Sequence, residues 1–291
     1  MEIALNFPAP TPDAAMTLQD NALMRLAPTL APEDLRQEFL VTGLFQPGEI
    51  RVHWWETDRT VLGAAVPLST SLALPVPRGL RAAYFLERRE AGVINLGGPG
   101  VVTVDGTGYP MDTHDALYLG RGCRAVEFTS RSESNPARFW LQSYPAHAPL
   151  PVTHVAFKDV KGERLGARES SNERTLFKLI HPGRVATCQL VMGFTRLEPG
   201  SVWNSLPPHT HLRRSEVYLY FNLPPGQMVV HLMGEMQATR HLIVRDGEAV
   251  LSPPWSIHCG AGSSSYSFVW CMGGENQEFA DMDPAPVAEL R

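Results

Sequence analysis

Pro208-His209-Thr210-His211-Leu212-Arg213-Arg214-Ser215-Glu216, answered downstream by Ser256-Ile257-His258, is the stretch on which the reading of this chain turns. Alternate side chains of a β-strand project to one face, so His209 and His211 can present two imidazoles to a single point. Glu216, brought back by strand curvature or pairing, adds a carboxylate, and His258 from a second strand completes the set. Three imidazoles and one carboxylate suit a divalent transition metal. An isolated His-x-His pair is a weak motif, because two surface or hydrogen-bonded histidines produce it as readily. The second half-motif is what gives it weight.

His-x-His-x4-Glu followed by Gly247-x5-Pro253-x4-His258 resembles the paired motifs of the cupin β-barrel. The departures are local. The glycines that usually flank the first motif stand further off, as Gly200 and Gly226, and Trp255 occupies a place where the second motif often has Gly. These changes alter loop lengths and leave the four candidate ligands in place. Composition agrees with a β architecture: with 24 Gly and 25 Pro in 291 residues, about one residue in six is a turn-former, which favours many short strands over long helices. The fold expected is all-β, a bicupin of two double-stranded β-helix (jelly-roll) barrels preceded by a short helical arm.

The chain is long enough for two domains that each bury a core. Residues 1–45 read as an arm, rich in Ala and Pro near its start. Its one helix signal is Ala31-Pro32-Glu33-Asp34-Leu35-Arg36-Gln37-Glu38-Phe39-Leu40, where Pro and acidic residues open the helix. Residues 46–150 contain short apolar runs broken by Gly and Pro, such as Gly92-Val93-Ile94-Asn95-Leu96 and Val101-Val102-Thr103-Val104, and read as a first barrel. Residues 151–173 read as a linker and 174–291 as the metal-binding barrel. Laid over the second half, Tyr84-Phe85-Leu86-Glu87-Arg88-Arg89-Glu90 places Glu90 on Glu216, with Tyr84 and Leu86 where His209 and His211 stand and Ala125 where His258 falls. The first barrel is therefore expected to keep the shell without the ligands.

The net charge of −5 leaves no electrostatic footprint for nucleic acid. No apolar run reaches the roughly 20 residues that span a bilayer, and no leader pattern opens the chain, so a cytoplasmic protein without membrane contact is expected. Cys123, Cys188, Cys259 and Cys271 lack CxxC spacing, which argues against a zinc ribbon or redox dithiol. Cys259, next to His258, would point to the opposite strand face and is left out of the site.

Beyond the motifs, Asp115-Ala116-Leu117-Tyr118, Glu216-Val217-Tyr218, Thr239-Arg240-His241 and Gly274-Glu275-Asn276-Gln277 with Asp281-Met282-Asp283 resemble the 5-keto-4-deoxyuronate isomerase family over most of the chain. The long Ala- and Pro-rich N-terminus departs from that family's usual start. The resemblance implies a hexameric bicupin with one Zn2+ per chain in the second barrel, its ligands falling on His209, His211, Glu216 and His258. It also implies an aldose-to-ketose isomerisation of 5-dehydro-4-deoxy-D-glucuronate to 3-deoxy-D-glycero-2,5-hexodiulosonate, in the breakdown of pectin and related uronates. In that reaction a proton leaves C2 and returns to C1, and a redox-silent cation stabilises the charge that develops between them.

Glu275 is the candidate base, with a structural carboxylate in a turn as the alternative reading. Arg213, Arg214 and Arg240 are candidates for holding the substrate carboxylate, against the alternative of surface or inter-subunit ion pairs. Tyr218 shares the strand face of Glu216 and is a candidate donor. His231 and His241 read as structural, since the metal already has four ligands. Three other functions fit parts of the pattern: 5-deoxy-glucuronate isomerase, an iron-dependent dioxygenase, and a non-catalytic sugar-binding cupin.

Overall fold

A computed structural model of the chain describes residues 21–291. The first twenty residues of the expected arm lie outside them. Four antiparallel sheets make two β-barrels of the cupin type, two sheets to each. In the first barrel a six-stranded sheet runs in the order Thr153–Val155, Ala116–Leu119, Arg89–Asn95, Phe139–Pro145, Thr60–Ala65, Ile50–Trp55. It faces a four-stranded sheet of Leu72–Ala73, Val126–Ser130, Gly100–Val104 and Thr107–Met111. In the second, a seven-stranded sheet runs Leu40–Val41, Ala249–Ser252, Arg214–Phe221, Ser267–Gly274, Val191–Leu197, Arg174–Ile180, Glu163–Leu165. Its partner is a five-stranded sheet of Ala238–Val244, Val229–Glu235, His258–Gly262, Trp203–Thr210 and Asp283–Pro284.

The two largest sheets pack against each other, and this seam explains why their central strands read as continuous apolar runs rather than alternating ones. Arg214–Phe221 is buried along its whole length. Val217, Leu219 and Phe221 enter the seam with Phe177, Phe194 and Val269, while Tyr218 and Tyr220 turn into the second barrel with Phe268 and Trp270. A strand covered on both faces has no polar side to display. Phe177 and Phe194 stack at 4.8 Å between centroids, and truncating either to Ala is expected to cost about 3–5 kcal/mol.

The arm belongs to the second barrel. Pro32 opens the helix Pro32–Phe39 as expected, with Glu33 and Asp34 in its first turn, where the amide dipoles favour negative charge. Leu35 and Phe39 are buried, Phe39 packs edge-on against Trp255, and Leu40 pairs with Val250 at the sheet edge. Two expectations change here. The segment expected as a linker is ordered at both ends: Thr153–Val155 pairs with the first barrel and Glu163–Leu165 with the second.

The alignment of Glu90 with Glu216 also fails. In Arg89–Asn95, Ala91 and Val93 face the first barrel's interior, which turns Glu90 outward to the seam. There its carboxylate, with no exposed surface, accepts hydrogen bonds from the Tyr118 hydroxyl (2.7 Å) and from the amides of Cys188, Gln189 and Leu190 (2.7, 2.8 and 2.9 Å). A one-residue shift in a strand exchanges its faces, so matching letters across the halves did not match positions.

Candidate metal centre

His209 stands one residue before the end of the strand Trp203–Thr210 and pairs in register with His258, the first residue of His258–Gly262. His211 follows in the turn to Arg214–Phe221, on which Glu216 stands. One donor atom from each of His209, His211, Glu216 and His258 lies within 4.8 Å of all the others. His258 Nε2 is 3.1 Å from His209 Nε2 and 3.2 Å from Glu216 Oε2, and His211 Nε2 is 3.1 Å from the same oxygen. Tetrahedral bonds of 2.0–2.1 Å would set neighbouring donors about 3.3 Å apart, close to these separations.

The surroundings aim the lone pairs inward. The Nδ1 of His258 meets the Ser252 hydroxyl at 3.0 Å, and the Nδ1 of His211 meets the Arg214 carbonyl at 3.2 Å, which turns both Nε2 atoms to the common point. His211 Nε2 is buried and makes no hydrogen bond despite its closeness to Glu216. Burial, with His211 and Arg214 nearby, holds His209 down at about pKa 3, and burial holds His258 well below its ordinary value, so both imidazoles stay neutral. Imidazole nitrogens converging on a buried carboxylate, with an orphaned Nε2 among them, are a donor set that a divalent cation completes. The residues fit such an ion.

His209, His211 and Glu216 of the cluster line a cavity of about 310 Å³, within the range of small-molecule sites. Tyr218 lines it as its shared face with Glu216 predicts, with its hydroxyl 3.3 Å from Ser205 Oγ. Phe268, Trp270 and Met272 supply an apolar wall, and Phe279 and Met282 come from the C-terminal segment. Trp270 lies against Gly193, where a Cβ would meet its ring at 2.4 Å; only glycine leaves room for the indole there.

The arginines and Glu275 are placed otherwise than expected. Arg213 grips Asp281 and Asp283, and Arg214, buried, donates to the carbonyls of Glu278 (2.7 Å) and Asp281 (2.6 Å). Together they strap the segment that carries Phe279 and Met282 over the cavity, and the Arg213 bond holds the Asp281 carboxyl below its ordinary pKa. Arg240 donates to the carbonyls of Ala27, Pro28 and Leu30 and so anchors the arm. Glu275 is exposed and is not among the residues that line the cavity. His231 is buried and bonded through Nδ1 to the Tyr220 hydroxyl at 2.7 Å. Arg174 and Ser205 line the cavity without having been singled out, since no local spacing ties them to the histidines. Ser252 had a local signal, a hydroxyl beside the turn that leads to His258.

The model of the KduI/IolB family matches residues 40–286, which takes in both barrels and all four cluster residues. The chain belongs to the KduI/IolB family. Among its KduI/IolB relatives, 4-deoxy-L-threo-5-hexosulose-uronate ketol-isomerase of Caldicellulosiruptor bescii is 47% identical over 262 residues, covering 90% of this chain and 95% of that protein. The protein of the same name from Opitutus terrae is 50% identical over 265 residues, at 90% and 95% coverage. The crystal structure of an IolB-like protein from Salmonella typhimurium superposes with a TM-score of 0.68 at 17% identity, over 82% of this chain and 94% of that one, which supports the KduI/IolB fold. Among the described residues no helix is long and apolar enough to cross a membrane.

Proposed function

We propose that this protein is a metal-dependent 4-deoxy-L-threo-5-hexosulose-uronate ketol-isomerase that acts in the breakdown of pectin-derived uronates. The observation that carries the reading is the convergence of three imidazoles and one carboxylate on one point beside a cavity that His209, His211 and Glu216 help to line. Relatives 47% and 50% identical over nine-tenths of the chain bear that enzyme's name. The reaction needs no outside oxidant: C2–H is lost as a proton, C1 gains one, the C1 aldehyde becomes an alcohol and the C2 alcohol a ketone.

In this reading His209, His211, Glu216 and His258 hold one divalent cation, taken to be Zn2+, as a redox-silent ion suits an internal redox exchange. Such a cation supplies Lewis acidity at the carbonyl and the neighbouring hydroxyl. Tyr218, whose pKa burial raises well above the ordinary value, stays protonated and donates to a substrate oxygen. Phe268, Trp270, Met272, Phe279 and Met282 keep water out, which strengthens the electrostatics within the cavity. The division into an arm to about residue 45, a first barrel to about 150 and a metal-holding barrel from about 174 belongs to the same proposal, as do a cytoplasmic setting and a hexameric assembly.

The test is a turnover assay on the unsaturated-uronate product of a pectin lyase digest, with His209→Ala and chelated protein beside the wild type. Formation of the 2,5-diketo acid by wild type alone is expected. Wild type that leaves this substrate untouched while holding one metal per chain would refute the substrate assignment. The second reading is 5-deoxy-glucuronate isomerase, favoured by the likeness to the IolB-like structure and tested by offering that sugar to the same protein. Oxygen uptake on loading with Fe2+ would instead indicate a dioxygenase.

A further inference from the structure

The cavity lining has two chemically distinct parts. One is the cluster with Tyr218 beside it; the rest is apolar except for Thr195, Ser205 and a guanidinium, that of Arg174. Arg174 opens the strand Arg174–Ile180 and shares its inward face with Leu176, which also lines the cavity. Four other arginines of the barrels are committed. Arg213 has two carboxylates, Arg214 two carbonyls, Arg240 three carbonyls, and Arg89 the Ser143 hydroxyl and carbonyl with the Arg59 carbonyl. Arg174 donates one hydrogen bond, Nη1 to the Asn172 carbonyl at 2.8 Å, and among the described residues no carboxylate pairs with it. Burial lowers its pKa, as expected for a cation removed from water without a counter-anion.

We propose that Arg174 selects for acidic sugars by gripping the carboxylate at the end of the substrate opposite the reacting carbons. The inference rests on the isomerase reading of the same cavity and names the group that makes it a uronate site. An extended six-carbon chain spans about 6 Å from C1 to C6, because its five bonds of ~1.5 Å zigzag, and a cavity of about 310 Å³ lined by both the cluster and this guanidinium has room for it. A carboxylate brought into an apolar cavity loses its hydration and needs a charged partner with matched donors. The Nε and Nη2 donors of Arg174, which have no partner among the described residues, form the fork that binds a carboxylate bidentately. The apolar wall excludes competing water and gives this one ion pair its leverage over specificity.

The test compares wild type, Arg174→Met and Arg174→Lys, each checked for one metal per chain. Two substrates are used, the uronate and its analogue with a C6 primary alcohol. Binding of the uronate reduced at C1, which cannot isomerise, is measured by calorimetry and by Trp270 fluorescence. Arg174→Met is expected to collapse the acid-over-alcohol ratio of kcat/KM by about 100-fold and to weaken binding of the reduced acid by a similar factor. Arg174→Lys, which keeps the charge and loses the fork, is expected to recover part of both. Equal loss on acid and alcohol, or unchanged turnover and binding of the acid in a metal-replete Arg174→Met protein, would overturn the assignment while leaving the isomerase reading intact. Wild type that binds the reduced acid through Arg174 yet turns over neither substrate would refute the isomerase reading and support the carboxylate grip.

Discussion

Replacing Glu90 by Gln removes a carboxylate that four donors hold and that, among the described residues, no cation pairs with. Oε2 accepts from the Tyr118 hydroxyl and the Cys188 amide, and Oε1 from the amides of Gln189 and Leu190. A glutamine is worst placed with its NH2 at Oε1, where it would face two N–H groups. With the NH2 at Oε2, the Tyr118 hydroxyl can turn to accept, but the Cys188 N–H is left facing a donor. One buried amide without an acceptor costs about 1–3 kcal/mol, and the remaining bonds drop from charge-assisted to neutral strength. Relief of carboxylate desolvation offsets part of this, so a net loss of about 2–3 kcal/mol is expected. At about 2–4 °C per kcal/mol, the melting temperature should fall by roughly 5–10 °C. Urea unfolding of both proteins with the same metal load measures it, and Glu90→Ala, which orphans three amides and a hydroxyl, should lose more. A Glu90→Gln protein within about 0.5 kcal/mol of wild type would refute the reading of Glu90 as an ionised anchor between the barrels.

The metal-free protein should lose stability as pH falls below about 6.5. The depressed folded-state pKa of His209, about 3, means the unfolded chain binds the proton first, and this residue alone accounts for about 2 kcal/mol by pH 5. Thermal unfolding of chelated protein at pH 7.5 and pH 5 checks the sign, and a rise in stability on acidification would contradict it. Arg240→Ala should free the carbonyls of Ala27, Pro28 and Leu30, so that limited proteolysis cuts near them while turnover persists. Tyr218→Phe should lower kcat by about 100-fold if its hydroxyl serves a developing charge, against less than about 2-fold for the exposed Glu275→Ala. Equal effects of these two substitutions would remove Tyr218 from the proposed chemistry.

The cluster was legible because a metal site is partly local along the chain. Two of its members lie two residues apart, a third stands a short turn away on the next strand, and the fourth heads a strand that pairs with the first in register. Donors must converge to within a few ångströms, and strand periodicity with tight turns achieves that through spacing alone. The helix after Ala31 was legible for a similar reason, since Pro32 and the acidic residues after it are local signals. The contacts of the arginines and Glu90 were not. Arg213, Arg214 and Arg240 looked like substrate contacts because a guanidinium suits a carboxylate anywhere, yet their partners are the C-terminal segment and the arm, set by which chain ends fold over which barrel. Glu90 looked like a vestigial ligand, but a shift of one residue in register sent it to the seam.

By itself, then, the sequence determined the all-β class, the cluster and the face of Tyr218, which depend on periods of two and on short turns. Only the tertiary structure decided that Arg174 stands in the cavity with Phe268, Trp270 and Met272. Arg174 and those wall residues come from two strands far apart in sequence, Arg174–Ile180 and Ser267–Gly274, which the antiparallel sheet brings to either side of Val191–Leu197, and no local pattern encodes that proximity.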